Sequence, residues 1–99
     1  MRSAAAHDPT LTLDFPLSVD STGGVTVVVH DLGGDGPPVL LCHATGFHAR
    51  VWLPVARHLP FHSLAPDLRG HGDSPVPADA TMAWEHFADD VLAVVDALG

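Results

Sequence analysis

Residues 38–42, Pro38, Val39, Leu40, Leu41 and Cys42, form an unbroken apolar run with loop chemistry on both sides. A strand with one wet face alternates apolar and polar side chains, so this run fits a strand covered on both faces in a parallel sheet. A parallel neighbour cannot be reached through a tight turn; it needs a crossover, usually helical. The following residues supply one. His43, Ala44, Thr45, Gly46, Phe47 and His48 break the run, and a short helix is expected near Trp52, with Pro54 tolerated in its first turn. Trp52, Val55, Ala56 and Leu59 give that helix one apolar face. Pro60 stops it, and residues 61–65 read as a second core strand.

The flanks extend the pattern. Residues 1–10 read as a flexible tail, and residues 11–99 as the folded portion. Leu11, Thr12, Leu13, Asp14 and Phe15 alternate like a half-buried strand, which Pro16 assigns to an edge. Ser21, Thr22, Gly23 and Gly24 are turn chemistry, the β-branched run 25–29 is a strand, and the two strands should pair antiparallel. Residues 31–37 read as loop.

Trp84, Phe87, Ala88, Val91, Leu92, Val94, Val95 and Leu98 recur at helical spacing. Asp79 or Thr81 could cap this helix, Glu85 sits in an early turn, and Gly99 is its expected stop. Trp52 and Trp84 read as core anchors. The fold class is therefore α/β: an antiparallel start, then parallel strands with crossover helices. The broad apolar face of the last helix and an unpaired strand edge make the sheet look incomplete, wanting another strand after Gly99.

Composition narrows the function. At 99 residues the chain makes one domain at most, and with 46% apolar and 16% charged residues disorder is not expected. Lysine is absent, and four Lys+Arg against twelve Asp+Glu give a net charge of −8. Nucleic acid and anionic membrane surfaces are thereby disfavoured as partners. The single cysteine, Cys42, can form neither an internal disulfide nor a thiolate cluster, which suits a reducing cytoplasm. No apolar run has the length of a signal-peptide core or a membrane span.

In open α/β sheets, ligands collect beyond the carboxyl ends of the strands. Residues 43–47 and 67–74 fall there. A sharp turn around Ala44 and Gly46 could expose backbone N–H groups to a developing oxyanion, worth about 3 kcal/mol for one donor; an ordinary strand-to-helix loop is the equal alternative. A phosphate cradle at Gly70 and Gly72 is weak, because Pro75 stands where a dinucleotide fingerprint wants its third glycine. Histidine metal sites are weak too. Pro60 separates His58 from His62, and His86 with Asp90 offers only two ligands on a face better read as solvated. No metal and no cofactor are expected.

Val39 to Phe47 with their central His43-Ala44-Thr45, Trp52, the run Asp67-Leu68-Arg69-Gly70-His71-Gly72-Asp73-Ser74, and Phe87-Ala88-Asp89-Asp90-Val91 together resemble the α/β-hydrolase superfamily. The resemblance spans residues 11–99 and matches the amino-terminal portion of that fold. It implies cofactor-free, nucleophilic hydrolysis of an ester-like, amide or epoxide bond in a small-molecule substrate. It further implies that Thr45 presents an oxyanion-binding N–H, and that His43, Ala44 and Gly46 shape its loop, His43 as a hydrogen-bonded buried residue rather than a base. Asp67, Arg69, Gly70, Gly72 and Ser74 would brace the second loop, and Phe47 and Trp52 could line a pocket. Ala44 departs from the glycine that the family more often carries.

The family's nucleophile lies in Gly-x-Ser-x-Gly, followed in chain order by its acid and base. Of Ser3, Ser18, Ser21, Ser63 and Ser74, only Ser74 has a glycine two residues before it, and Val76 spoils the other side. Residues 1–99 alone are therefore expected to be inactive. The alternative reading is a non-catalytic small α/β interaction module, self-associating through its bare sheet edge.

Overall fold

The computed structural model describes residues 9–78 and 83–99. Its elements, in chain order, are β1 (Leu17–Asp20), β2 (Thr26–Gly33), β3 (Pro38–Leu40), α1 (Leu53–Ala56, entered through a 3-10 turn at Ala49–Trp52), β4 (His62–Asp67) and α2 (Trp84–Leu98). The sheet order is β1-β2-β4-β3. β2 is antiparallel to β1 and to β4, whereas β3 and β4 are parallel and joined through α1. This is the antiparallel start followed by helix-linked parallel strands that the sequence leads one to expect.

The first strand lies later than its alternation suggests. Residues 11–15 are not a strand: Pro9–Thr12 form a 3-10 helix, and pairing starts at Leu17, opposite Val29. The turn decides this. Ser21 donates its N–H to the Val25 carbonyl at 2.8 Å, which sets Asp20 opposite Thr26, and the ladder extends back only to the residue after Pro16. Alternation is a local property; register is set by the turn and the partner. β2, in turn, runs past residue 29 to Gly33 because β4 gives it a second partner, with a register shift between Asp31 and Gly33.

β4 is buried along its whole length and holds Pro66, an unusual residue for a strand with a partner on each side. The hydrogen-bond pattern explains it. His62 N–H reaches the Pro37 carbonyl at 3.0 Å, and the Leu64 carbonyl accepts Leu41 N–H at 2.8 Å. Even-numbered residues of β4 thus face β3, and odd-numbered ones face β2. Pro66 is the next even position, and β3 has already ended at Leu40. Its missing N–H leaves the next position of the parallel ladder without a donor, and the pairing with β3 ends there. β3 is accordingly shorter than the apolar run, and Cys42 lies beyond it, exposed.

The core joins Val19, Val25, Val27, Val29 and Leu64 of the sheet region to Val94 of α2, with Phe15, Leu17, Leu40, Ala93 and Leu98 packed around them. Each fully buried Val or Leu contributes on the order of 1.5–3 kcal/mol. α2 buries Phe87, Asp90 and Val94 and leaves Trp84 77%, Leu92 64% and Val95 49% exposed. Trp84 is therefore no core anchor. Helical spacing identifies residues that share a face, but only the sheet's position selects which part of a broad face is covered. The proposed caps Asp79 and Thr81 lie outside the described residues; Ala83 occupies the N-cap position without a side-chain bond. Gly99, at φ 82°, ends the helix and donates its N–H to the Val95 carbonyl at 3.1 Å. Among the described residues no helix is long and apolar enough to cross a membrane.

Candidate functional site

The chain leaves β3 and β4 at neighbouring carboxyl ends, and the two departing loops are stitched together by histidines. Phe47 N–H closes a turn onto the Ala44 carbonyl at 3.0 Å, with Gly46 at φ 91°, a left-handed position that favours glycine. His43 is buried; its Nε2 accepts the Leu68 N–H at 3.0 Å and its Nδ1 donates to the Ala44 carbonyl at 2.8 Å. His71 mirrors it from the second loop: Nε2 accepts the Gly46 N–H at 2.9 Å and Nδ1 donates to the Arg69 carbonyl at 2.9 Å. Backbone N–H groups only donate and carbonyls only accept, so both rings are neutral with the proton on Nδ1. The rings stand 4.9 Å apart, and Phe87 of α2 meets His71 edge-on at 5.8 Å.

These bonds leave two amides of the turn over, those of Ala44 and Thr45. Gly46 and Phe47 N–H have acceptors; Thr45 N–H has none among the described residues, and Thr45 is exposed. Phe47, 56% exposed, follows it two positions later in the same turn, while Trp52 is half-buried with Nε1 lacking an acceptor among the described residues.

Asp67, at the end of β4, is a hub. Its Oδ1 accepts Ala49 N–H at 2.7 Å, and its Oδ2 accepts Asp73 N–H at 2.9 Å and His30 Nε2–H at 2.8 Å. Burial alone would push this carboxyl up, but the two backbone donors and His30 outweigh it and hold it below the usual carboxylate range. Gly72 must be glycine for space as well as for its φ of 50°, since a Cβ there would lie 2.3 Å from the Asp67 carboxyl carbon.

Ser74 is equally committed. Its hydroxyl accepts Val28 N–H at 2.8 Å and donates to the Asp67 carbonyl, bridging β2 and β4 at a buried position. It is thus held as a brace. Cys42 is no better as an attacking group, because partial desolvation pushes its thiol up, away from the reactive thiolate.

Arg69 donates to Asp90 from its side chain at 2.7 Å and from its backbone N–H at 3.0 Å, and Ser21 donates to the same carboxylate at 2.6 Å. Burial would raise the Asp90 carboxyl, but the bonds from Arg69 and Ser21 prevail and lower it. Asp90 is fully buried, which overturns its reading as a solvated helix residue. Its signal was available: it falls on the Phe87–Val94 stripe, where a charge requires a partner.

His30, Asp67 and Asp73 could offer three metal-ligand atoms, all within 4.8 Å of one another. Sequence reasoning missed this group because His30 lies 37 positions from Asp67 and meets it only through the pairing of β2 with β4. The Asp67 oxygens already hold N–H donors, so the present geometry is that of a hydrogen-bonded brace rather than an open ligand set.

A mixed sheet in this order, with its loops gathered beyond the carboxyl ends of β3 and β4, defines a class, and comparison with known proteins agrees. The family model described as alpha/beta hydrolase fold matches residues 37–99. The chain belongs to the α/β-hydrolase fold family. It is 34% identical over 82 residues to an epoxide hydrolase of Caballeronia sordidicola, covering 79% of this chain and 25% of that protein. It is also 34% identical over 83 residues to protein phosphatase methylesterase 1 of Mus musculus, covering 80% and 22%. Among solved structures, the bottromycin epimerase BotH superposes with a TM-score of 0.70 at 31% identity, over 84% of this chain and 34% of the other. The chain thus spans a quarter or less of the length of these curated relatives.

Proposed function

We propose that this chain supplies the oxyanion corner of a hydrolase that cleaves an ester-like bond by nucleophilic attack, with amides and epoxides as the wider substrate class. The Thr45 N–H is the donor. One observation carries this reading: within the 44–47 turn, the Gly46 and Phe47 amides are consumed by His71 and Ala44, which leaves the Ala44 and Thr45 amides without an acceptor among the described residues, and the family resemblance selects Thr45 of the two. A preorganised N–H of this kind stabilises charge that develops at a carbonyl or epoxide oxygen. Phe47 and Trp52 form one wall of the pocket for a small-molecule substrate. The names of the relatives support hydrolysis, although an epimerase on the same fold is a reminder that fold alone never selects a reaction.

The attacking group, acid and base come from outside these 99 residues, so the isolated chain does not turn over substrate. The lone Cys42 suits work in a reducing cytoplasm. The test is a chimera in which residues 11–99 replace the matching segment of the Caballeronia sordidicola epoxide hydrolase. Epoxide or p-nitrophenyl ester turnover is expected from the chimera and not from residues 1–99. Thr45→Pro, which deletes the N–H, should lower kcat by about 100-fold or more, the scale of one lost oxyanion donor. A chimera indifferent to Thr45→Pro would overturn the reading.

A second reading has its own observation. An apolar cavity of about 230 Å³ lined by Val39, Leu40, Leu64, Val95 and Leu98 lies between β3 and the end of α2, and Val95 in its lining is 49% exposed. Self-association through this face would make the chain an interaction module. Sedimentation distinguishes the two: a monomer throughout the micromolar range removes this alternative.

A further inference from the structure

The 44–47 turn has a built-in ambiguity, and His71 resolves it. Turns closed by a bond between first and fourth residues come in two common forms that differ by a flip of the central peptide. Here that peptide joins Thr45 to Gly46. The form with positive φ at the third position is present, Gly46 having φ 91°. Glycine tolerates either form, and no atom within 4 Å opposes even an added Cβ, so neither sterics nor packing at Gly46 selects one. The selecting contact is the Gly46 N–H donated to His71 Nε2 at 2.9 Å. Flipping the peptide would replace that donor with the Thr45 carbonyl oxygen, aimed at a lone pair.

The acceptor is itself held in place. Nδ1–H of His71 is anchored on the Arg69 carbonyl, and its ring lies between His43 and Phe87. The Arg69 backbone is in turn tied to Asp90 of α2 by its own N–H at 3.0 Å. A continuous path therefore runs from the packed helix, through Arg69 and His71, to the peptide next to Thr45.

We propose that His71 is a positioning residue of the oxyanion corner: its bare Nε2 locks the Thr45–Gly46 peptide in one of its two orientations, keeping the Gly46 amide engaged and the loop that carries the Thr45 amide in a single form. This role rests on the hydrolase reading only for what the Thr45 amide then does; the lock exists without it.

The experiment is NMR on the uniformly labelled 99-residue chain. An N–H···N bond transmits a through-bond coupling, so the Gly46 amide nitrogen should couple to His71 Nε2, with the ring showing the Nδ1–H tautomer. His71→Phe keeps an aromatic ring beside His43 and Phe87 but removes the acceptor. It should speed hydrogen exchange at Gly46 about fivefold or more, the scale of one net hydrogen bond, while Leu68 N–H, held by His43, changes less than twofold. His71→Gln, whose side-chain oxygen can take the place of Nε2, should restore Gly46 protection. An Nε2–H tautomer, an absent coupling, or equal loss at Gly46 and Leu68 overturns the proposal.

If the isolated chain gives no dispersed spectrum, the chimera carries the test: His71→Phe should lower kcat about fivefold at constant KM, with recovery in His71→Gln, and an unchanged kcat overturns the role. A coupling found alongside an inactive chimera refutes hydrolysis and leaves the lock intact; activity without the coupling does the reverse.

Discussion

The Asp90 carboxylate of α2 receives the Arg69 guanidinium at 2.7 Å, with both side chains buried. Arg69 also reaches the Thr22 hydroxyl at 3.1 Å, so one ion pair joins the helix, the loop after β4 and the turn between β1 and β2. Removing one member strands the other in a desolvated site. Asp90→Ala should cost about 3–5 kcal/mol, measured by urea unfolding. Arg69→Met combined with Asp90→Leu should cost clearly less than the two single changes summed, because neither charge is then left unpaired.

Acid should unfold the protein through the same carboxylates. Asp67 and Asp90 are held below the usual range, so the unfolded chain binds their protons more tightly than the folded one. Their stabilisation is complete above the unfolded value, about pH 4, and is lost as pH falls from there through the lower folded values. Urea midpoints should therefore be flat across neutral pH with respect to these groups and drop below about pH 4. Asp90→Asn should flatten part of that drop; an unchanged acid limb would remove Asp90 from the account.

Gly72 and Gly46 separate two reasons for glycine. Both have positive φ, but a Cβ at Gly46 meets nothing within 4 Å, whereas at Gly72 it would lie 2.3 Å from the Asp67 carboxyl carbon. Gly46→Ala should cost about 1–2 kcal/mol, the left-handed penalty alone. Gly72→Ala should cost more, because Asp67 must also give up bonds to move. Thermal melts of the two variants rank them, and equal losses would contradict the contact.

Ser74→Ala should destabilise by about 1–3 kcal/mol, since Val28 N–H and the Asp67 carbonyl both lose their partner. The same engagement keeps Ser74 from acting as a nucleophile. Treating residues 1–99 with a fluorophosphonate should leave the mass of the Ser74 peptide unchanged.

Phe87 and Trp84 reverse the usual ranking of large aromatics. Phe87 is 8% exposed and Trp84 77%, although both lie on the apolar periodicity of α2. Phe87→Ala should cost about 3 kcal/mol or more, and Trp84→Ala under about 0.5 kcal/mol. Trp84 fluorescence should already be solvent-like in the native state.

Much of the fold was legible because its signals are local. The apolar run 38–42 that holds β3, the crossover closed by Pro60, the strand leading into Asp67 and the helix ending at Gly99 each follow from side-chain period and turn chemistry within a few residues, although β3 itself stops at Leu40. The two loops at the carboxyl ends could be located the same way. Less legible were the extents. Pairing shifted the first strand to Leu17 and lengthened β2 to Gly33, because a strand ends where its partner does.

The amino-acid order by itself settled the class of architecture, the net negative charge and the residue types available to the site, properties of composition and of neighbours along the chain. Tertiary structure alone decided that Asp90 is a buried partner of Arg69, that Ser74 spans two strands, that His71 faces Gly46 and that Trp84 is left uncovered. The first three of those outcomes require residues 21, 46 and 25 positions apart to meet, and the last depends on where the sheet lies against the helix. A hydrogen bond or a buried charge has no definite partner until the sheet and helix have brought one within reach.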